Sequence, residues 1–349
     1  MTSFKKYFIY HFKNTFWRLA IIAVLCILPV ATSVWINNIY QSYSYIDLSI
    51  LSYIAAVIST IIPILELLPF KNRRNMDTIL FLPIDRRKLA SVHFINGFIH
   101  VFLINVVTFI SAYFVLEMHS YPFKIWNLFL VFSFTVLGSL AVYSLTAFIF
   151  DCANTALDGI IWLVIYSFIG CNMLSGIEHL IEYAVTDFAE FNFFKSDSFT
   201  PYFILLFAWD GIHRLLFPYL RVREVGDSIQ ILEEFEARNI YKYEVRSIIL
   251  WSILIILCIF GFIWFSKNKR TENIGSISNS PFGYKVILPL LAASVLCYYN
   301  LGNLSAMLIL LVIGYIIYRR SLRFKLIDYI SIAASLILPA ILVFIAKSL

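Results

Sequence analysis

The side chains with the most capacity for chemistry are few, and they stand at the ends of apolar runs. Glu66 closes one such run. The stretch behind it, residues 71–92 (KNRRNMDTILFLPIDRRKLASV), carries Lys71, Arg73, Arg74, Arg86, Arg87 and Lys88 against only Asp77 and Asp85. A carboxylate there can contact a cargo or act as ion partner of the basic loop, and adjacency favours the ion pair. His93 and His100 stand seven apart in the next apolar run, which puts them on one helical face. Two imidazoles at that spacing can hold a metal or pass a proton. Neither has an ionisable neighbour in sequence, so packing is the simpler role. Asp158 repeats the ambiguity of Glu66 further along. Asp210, His213 and Arg214 interrupt the apolar run 199–220, where three polar groups would be costly in lipid.

Other chemistry was sought and set aside. Glu233, Glu234 and Arg238 spell EExxxR, the opening motif of an intramembrane protease family. That chemistry needs later histidines to hold a metal or activate water. The last histidine is His213, so the motif reads as a solvated charged helix with Glu234 and Arg238 one turn apart. No GxxxxGK[ST] loop, HExxH motif or Ser/His/Asp arrangement is present. The cysteines Cys26, Cys152, Cys171, Cys258 and Cys297 form no CxxC pair, and four of them sit in or beside apolar runs as small hydrophobes. The expectation is a chain with no catalytic residues and no metal ligands of its own.

The elements that must position these groups follow from composition. The chain is 61% hydrophobic and 14% charged, with a mean hydropathy of +0.83. A soluble domain cannot hide so much apolar surface. Runs of about 20 apolar residues recur, the length needed to cross roughly 30 Å of hydrocarbon. Helices are expected, since backbone hydrogen bonds in lipid must close within each span. The first residues show no small-residue cleavage site of the secretory type. The net charge of +6 lies in loops between spans, so it sets topology and gives no reason to expect nucleic acid.

Phe4, Phe8, Phe12 and Phe16 are four apart among Lys5, Lys6 and Lys13, which predicts an amphipathic interfacial helix over 1–16. Five spans are expected over 17–175: Trp17–Ile36, Leu48–Phe70, about Phe94–Leu116, Ile125–Phe150 and Ala156–Leu174. The basic loop 71–92 is placed in the cytoplasm. Residues 176–245 hold 12 of the 21 acidic residues against six basic ones, which fits an extracytoplasmic segment with a re-entrant or interfacial helical pair. A sixth span falls within 246–266, a cytoplasmic loop over 267–285, and three shorter C-terminal spans over 286–349. The hairpin reading of those last spans keeps Arg319, Arg320, Arg323 and Lys325 inside.

This pattern resembles the permease subunit of an ABC-2 type exporter of the Gram-positive kind. Three features carry the resemblance. The amphipathic start is similar to the family's elbow helix. Leu82-Pro83-Ile84-Asp85-Arg86-Arg87-Lys88-Leu89 resembles its "LP-x-[ST]-R" coupling segment. The external excursion between spans five and six matches the place of its re-entrant helices. Glu272-Asn273-Ile274-Gly275 adds an ExxG-like segment. Asp85 departs from the usual Ser or Thr but can still cap a helix. The Leu82-Pro83 step disfavours helix at Leu82 and starts a new one near Arg86.

The resemblance covers roughly residues 1–280. It implies an all-α polytopic membrane protein with a six-helix ABC-2 core and about three additional C-terminal helices. Arg73, Arg74, Asp77, Leu82, Pro83, Asp85, Arg86, Arg87 and Lys88 would couple to an ATPase. Glu66, His100, Asp210, His213 and Arg214 would line a cargo path. The implied partners are two cytoplasmic ABC ATPase subunits, a second permease subunit, identical or not, and membrane lipids. ATP and Mg would sit on the ATPase subunits, with no cofactor on this chain. The implied place is a bacterial plasma membrane with the N-terminus in the cytoplasm, and the implied cargo is a peptide, antibiotic or lipid-linked compound. The alternatives are an integral-membrane enzyme acting on lipids, with 176–245 as its active region, and a toxin-sensing or immunity subunit.

Overall fold

The computed structural model describes residues 3–40, 49–72, 84–118, 125–167, 169, 222–225, 228–231, 237–268, 282–299, 304–319 and 326–348. Nearly all of them are helical. The helices are α1 Ser3–Tyr40, α2 Ser49–Leu67, α3 Arg86–Met118, α4 Ile125–Cys152, α5 Ala156–Ser167, α6 Ala237–Asn268, α7 Tyr284–Tyr299, α8 Leu304–Arg319 and α9 Leu326–Ser348. A 3₁₀ turn, Leu68–Lys71, extends α2.

Among the described residues, four segments are long and apolar enough to cross a membrane: Phe4–Thr32, Tyr53–Lys71, Arg86–Met118 and Phe132–Cys152. The apolar parts of α5 to α9 among the described residues are shorter. The chain is thus a helical membrane protein. Its surface agrees, since Ile21, Val24, Leu25, Val57, Ile61, Phe114, Ile256, Leu257 and Phe260 are all exposed while many polar side chains are buried.

Three features differ from the sequence expectation. First, residue 16 is not a boundary, because α1 runs unbroken from the amphipathic start into the apolar run. No helix breaker occurs before Pro29, and α1 continues through that proline to Tyr40. Second, Arg86 opens the long helix α3 itself. The Asp85 carbonyl accepts the first helical bond from Leu89 N at 2.9 Å, and no break separates Arg86 from the apolar span. Third, part of 176–245 is a hairpin. Val222–Val225 pairs antiparallel with Ser228–Ile231, with Val225 opposite Ser228. Val222, Val225, Ile229 and Ile231 are of types that favour strands, and no element had been expected over 222–231. The expected helical pair over 199–220 lies outside the described residues.

The chain divides into two compact units: 1–66, 82–147 and 204–267, and 67–81, 148–203 and 268–349. In the first, Leu19 and Val30 of α1 and Leu51, Ile54, Ile58 and Ile62 of α2 share a core. Val101, Ile104, Phe109, Ala112 and Leu116 of α3 join it, with Tyr143 of α4. Trp251 and Ile255 of α6 form a smaller cluster with Ala141. In the second unit, α7, α8 and α9 pack through Leu288, Ala292, Leu296, Leu311, Tyr315 and Leu336. Trp162 of α5 is fully buried beside Tyr284.

Candidate functional site

The polar groups of the first unit gather around Glu66, whose side chain is only 1% exposed. It stands at the end of α2, where the helix tightens into its 3₁₀ turn. A buried carboxylate needs charge and hydrogen-bond partners, and α1 and α3 supply them. Arg18 and Asn96 both donate to Glu66 Oε1, the amide from 3.2 Å. His11 Nε2 bonds Oε2 at 2.7 Å, and His93 Nδ1 stands 3.3 Å from the same oxygen. His100 Nδ1 lies 3.8 Å from Oε1.

Outer groups hold these side chains in turn. Tyr7 Oη lies 3.1 Å from His93 Nε2, and Thr15 Oγ1 is 3.4 Å from His100 Nε2. Asn96 Nδ2 also reaches Thr15 Oγ1 at 3.2 Å. The His11 and His93 rings lie 4.1 Å apart. Gly97 makes room for this assembly: a Cβ there would fall 2.4 Å from Tyr143 Oη and 2.9 Å from Glu66 Cγ. Tyr143 in turn donates to the Phe94 carbonyl at 2.8 Å.

The local sequence explains how this forms. Tyr7, His11, Thr15 and Arg18 repeat at four, four and three residues, so they make one polar stripe on α1. His93, Asn96 and His100 make a matching stripe on α3. Both stripes face inward, while Lys5, Lys6 and Lys13 are exposed. Further along α3, on a different face, the buried Asn105 amide donates to Ser139 of α4 at 3.1 Å, and Thr108 is buried one turn on.

The sequence expectations meet this site unevenly. The structure brings Glu66 and His100 together; Asp210, His213 and Arg214 lie outside the described residues, as do Arg73, Arg74, Asp77, Leu82 and Pro83. The described partners of Glu66 come from α1 and α3, and most of the basic loop that follows it lies outside the described residues. Lys71, the described loop cation nearest in sequence, is itself buried and donates to the carbonyls of Asp151 at 3.0 Å and Ala153 at 2.6 Å. Asp85, Arg86, Arg87 and Lys88 are exposed at the start of α3. Asp158 accepts from Tyr284 Oη at 2.7 Å, and Thr155 caps α5 by accepting from Asp158 N at 3.0 Å. Of the EExxxR motif, Glu233 and Glu234 lie outside the described residues, and Arg238 is in the first turn of α6.

Sequence reasoning missed Tyr7, His11, Arg18 and Asn96. The signal was present in the stripe spacing, but the Phe repeat and the lysines drew the reading toward an interfacial helix. The missing partners of the histidines were remote in sequence, with His11 and Glu66 55 residues apart.

No family model, curated protein or solved structure matches this chain.

Proposed function

We propose that the chain is the permease subunit of an ATP-driven ABC-2 type exporter. It would work in a bacterial plasma membrane with a second permease subunit and two cytoplasmic ATPase subunits, on a hydrophobic or amphipathic cargo. The proposed topology is a six-helix core followed by about three C-terminal spans, with the N-terminus and the basic loop in the cytoplasm. Residues 73–89 would form the docking surface for the ATPase, and hydrolysis would take place on that partner.

One observation supports the reading above the others. The exposed turn Arg86-Arg87-Lys88 and the buried residues His93, Asn96 and His100 belong to one helix. Arg86 and His93 are about 10 Å apart along its axis, at 1.5 Å per residue. A push on the basic turn would therefore reach the Glu66 assembly without crossing a loop. Basic side chains on a rigid helix start also suit an acidic groove on a partner.

The test is the double variant Arg86→Glu, Arg87→Glu in the full chain, purified by affinity from the native membrane. Like-charge repulsion at such a contact costs about 2–5 kcal/mol where the pair is desolvated, and far less at a rim. The variant is expected to insert normally, because Lys71, Arg73, Arg74 and Lys88 remain. It is expected to lose the ATP-hydrolysing partner that accompanies the unmodified chain. Retention of that partner with undiminished hydrolysis would reduce the basic loop to an orienting role.

A further inference from the structure

We propose that His11, Glu66 and His93 form a binding site for a transition-metal ion of the zinc class. The inference needs no partner subunit and stands apart from the exporter reading.

Three helices each offer one donor: His11 from α1, Glu66 from α2 and His93 from α3. All three donor atoms lie within 4.8 Å of one another. Glu66 Oε2 is 2.7 Å from His11 Nε2 and 3.3 Å from His93 Nδ1. A tetrahedral zinc ion with bonds of about 2.0–2.1 Å sets its donors about 3.3 Å apart. The two pairs that include Glu66 are thus near the required spacing already. The two imidazoles need to close by at most about 1.5 Å to reach it.

The surroundings are those of a prepared site. Arg18 and Asn96 both hold Oε1, which fixes the carboxylate and leaves Oε2 turned to the two histidines. Tyr7 Oη engages His93 Nε2 at 3.1 Å, so the other ring nitrogen, Nδ1, is the one aimed at Glu66. A hydrogen bond to the distal nitrogen is the usual way in which a ligating imidazole is oriented. Glu66 and His93 are buried and His11 is half-buried, so water competes weakly. Two imidazoles and one carboxylate leave a fourth position open.

The donor set also predicts selectivity. Arg18 already balances the charge of Glu66, so the site offers a cation little net attraction. It offers nitrogen donors instead. Zinc, cobalt, nickel and copper favour imidazole, whereas Mg²⁺ and Ca²⁺ require several oxygens.

The experiment uses the full chain, purified in detergent with its affinity tag removed and stripped of metal by chelation. Co²⁺ is titrated in and followed by visible absorption, which is intense for tetrahedral cobalt and weak for octahedral. The expected result is about one tetrahedral Co²⁺ per chain, displaced by Zn²⁺ and untouched by excess Mg²⁺ or Ca²⁺. His11→Gln and His93→Gln should each weaken binding by about 100-fold or more, and Tyr7→Phe by about 10–100-fold, while Lys13→Gln, at an exposed position of α1, leaves it unchanged. A purely structural role for Tyr7 would not move the cobalt spectrum. Binding that is absent, octahedral, or as tight in the His11→Gln and His93→Gln proteins as in the unmodified chain overturns the proposal. If those two variants fail to fold, the spectrum of the unmodified chain and the Tyr7→Phe affinity decide.

Discussion

The helices that carry Glu66 and the three C-terminal helices solve the same problem in opposite ways. Around α1, α2 and α3 the interior holds a carboxylate, a guanidinium, three imidazoles and an amide. Around α7, α8 and α9 the core contacts are leucine, alanine and tyrosine, with Tyr315 donating to Ser331 at 3.0 Å and one carboxylate, Asp328, buried at the start of α9. Both arrangements join apolar helices, and the second does so with fewer buried ionisable groups among the described residues. A membrane protein gains no hydrophobic driving force by burying ionised groups between its helices, so such groups point to function. Among the described residues the α1–α3 assembly concentrates such groups, whereas the three C-terminal helices bury one carboxylate, Asp328.

The contrast can be broken most directly at Glu66. Glu66→Ala removes the counter-charge of Arg18 and the acceptor of His11 and Asn96 at once. Removing one member of a buried pair costs about 3–5 kcal/mol. Arg18 is about a third exposed and can regain water, so a loss near about 3 kcal/mol is expected from chemical unfolding in mixed micelles. A loss below about 1 kcal/mol would mean that the assembly is solvated and the comparison false.

Two glycines sharpen it. A methyl group at Gly97 would strike Tyr143 Oη and Glu66 Cγ, both held by hydrogen bonds, so neither can step aside cheaply. Gly97→Ala is expected to cost about 1–3 kcal/mol. At Gly314 the obstacle is Leu288 Cδ2 at 2.6 Å, the free end of an apolar side chain that can change rotamer. Gly314→Ala should therefore cost under about 1 kcal/mol, and equal penalties in the same unfolding assay would erase the distinction.

The smallest effect is expected at Asp158→Asn. This carboxylate lies in the second unit with a neutral partner, Tyr284, and an asparagine oxygen can still accept that bond. A change of about 0.5–1 kcal/mol is expected in the thermal midpoint analysis. A loss as large as that of Glu66→Ala would show that Asp158 acts as a buried charge and not as a simple acceptor for Tyr284.

Much of the fold was legible because lipid imposes it. Runs of apolar residues of spanning length gave the helices, and the edges of α2 and α4 fell within about three residues of expectation, since polar or charged groups end each run. The α1 boundary was misread because amphipathic spacing and apolar composition describe different surfaces of what is one continuous helix. The hairpin was missed because Val222 to Ile231 sits in an acidic stretch whose charge dominated the reading. Of the site, Glu66, His93 and His100 could be named from residue type. Their association could not, because it depends on which faces of α1 and α3 meet, and local spacing fixes a face without fixing its partner.

Lys71 shows how a residue can belong to a loop by sequence and to the interior by reactivity. Its ammonium is 1% exposed and caps carbonyls at the end of α4, with the Phe150 ring 5.1 Å away. Lys88, seventeen positions on, is exposed. To an amine-directed acylating reagent the two lysines are different substances: one is surface, the other is protected for as long as the end of α4 stays closed over it. The pair thus constitutes a built-in chemical gauge, with Lys88 reporting the delivered dose and Lys71 the opening of that helix end.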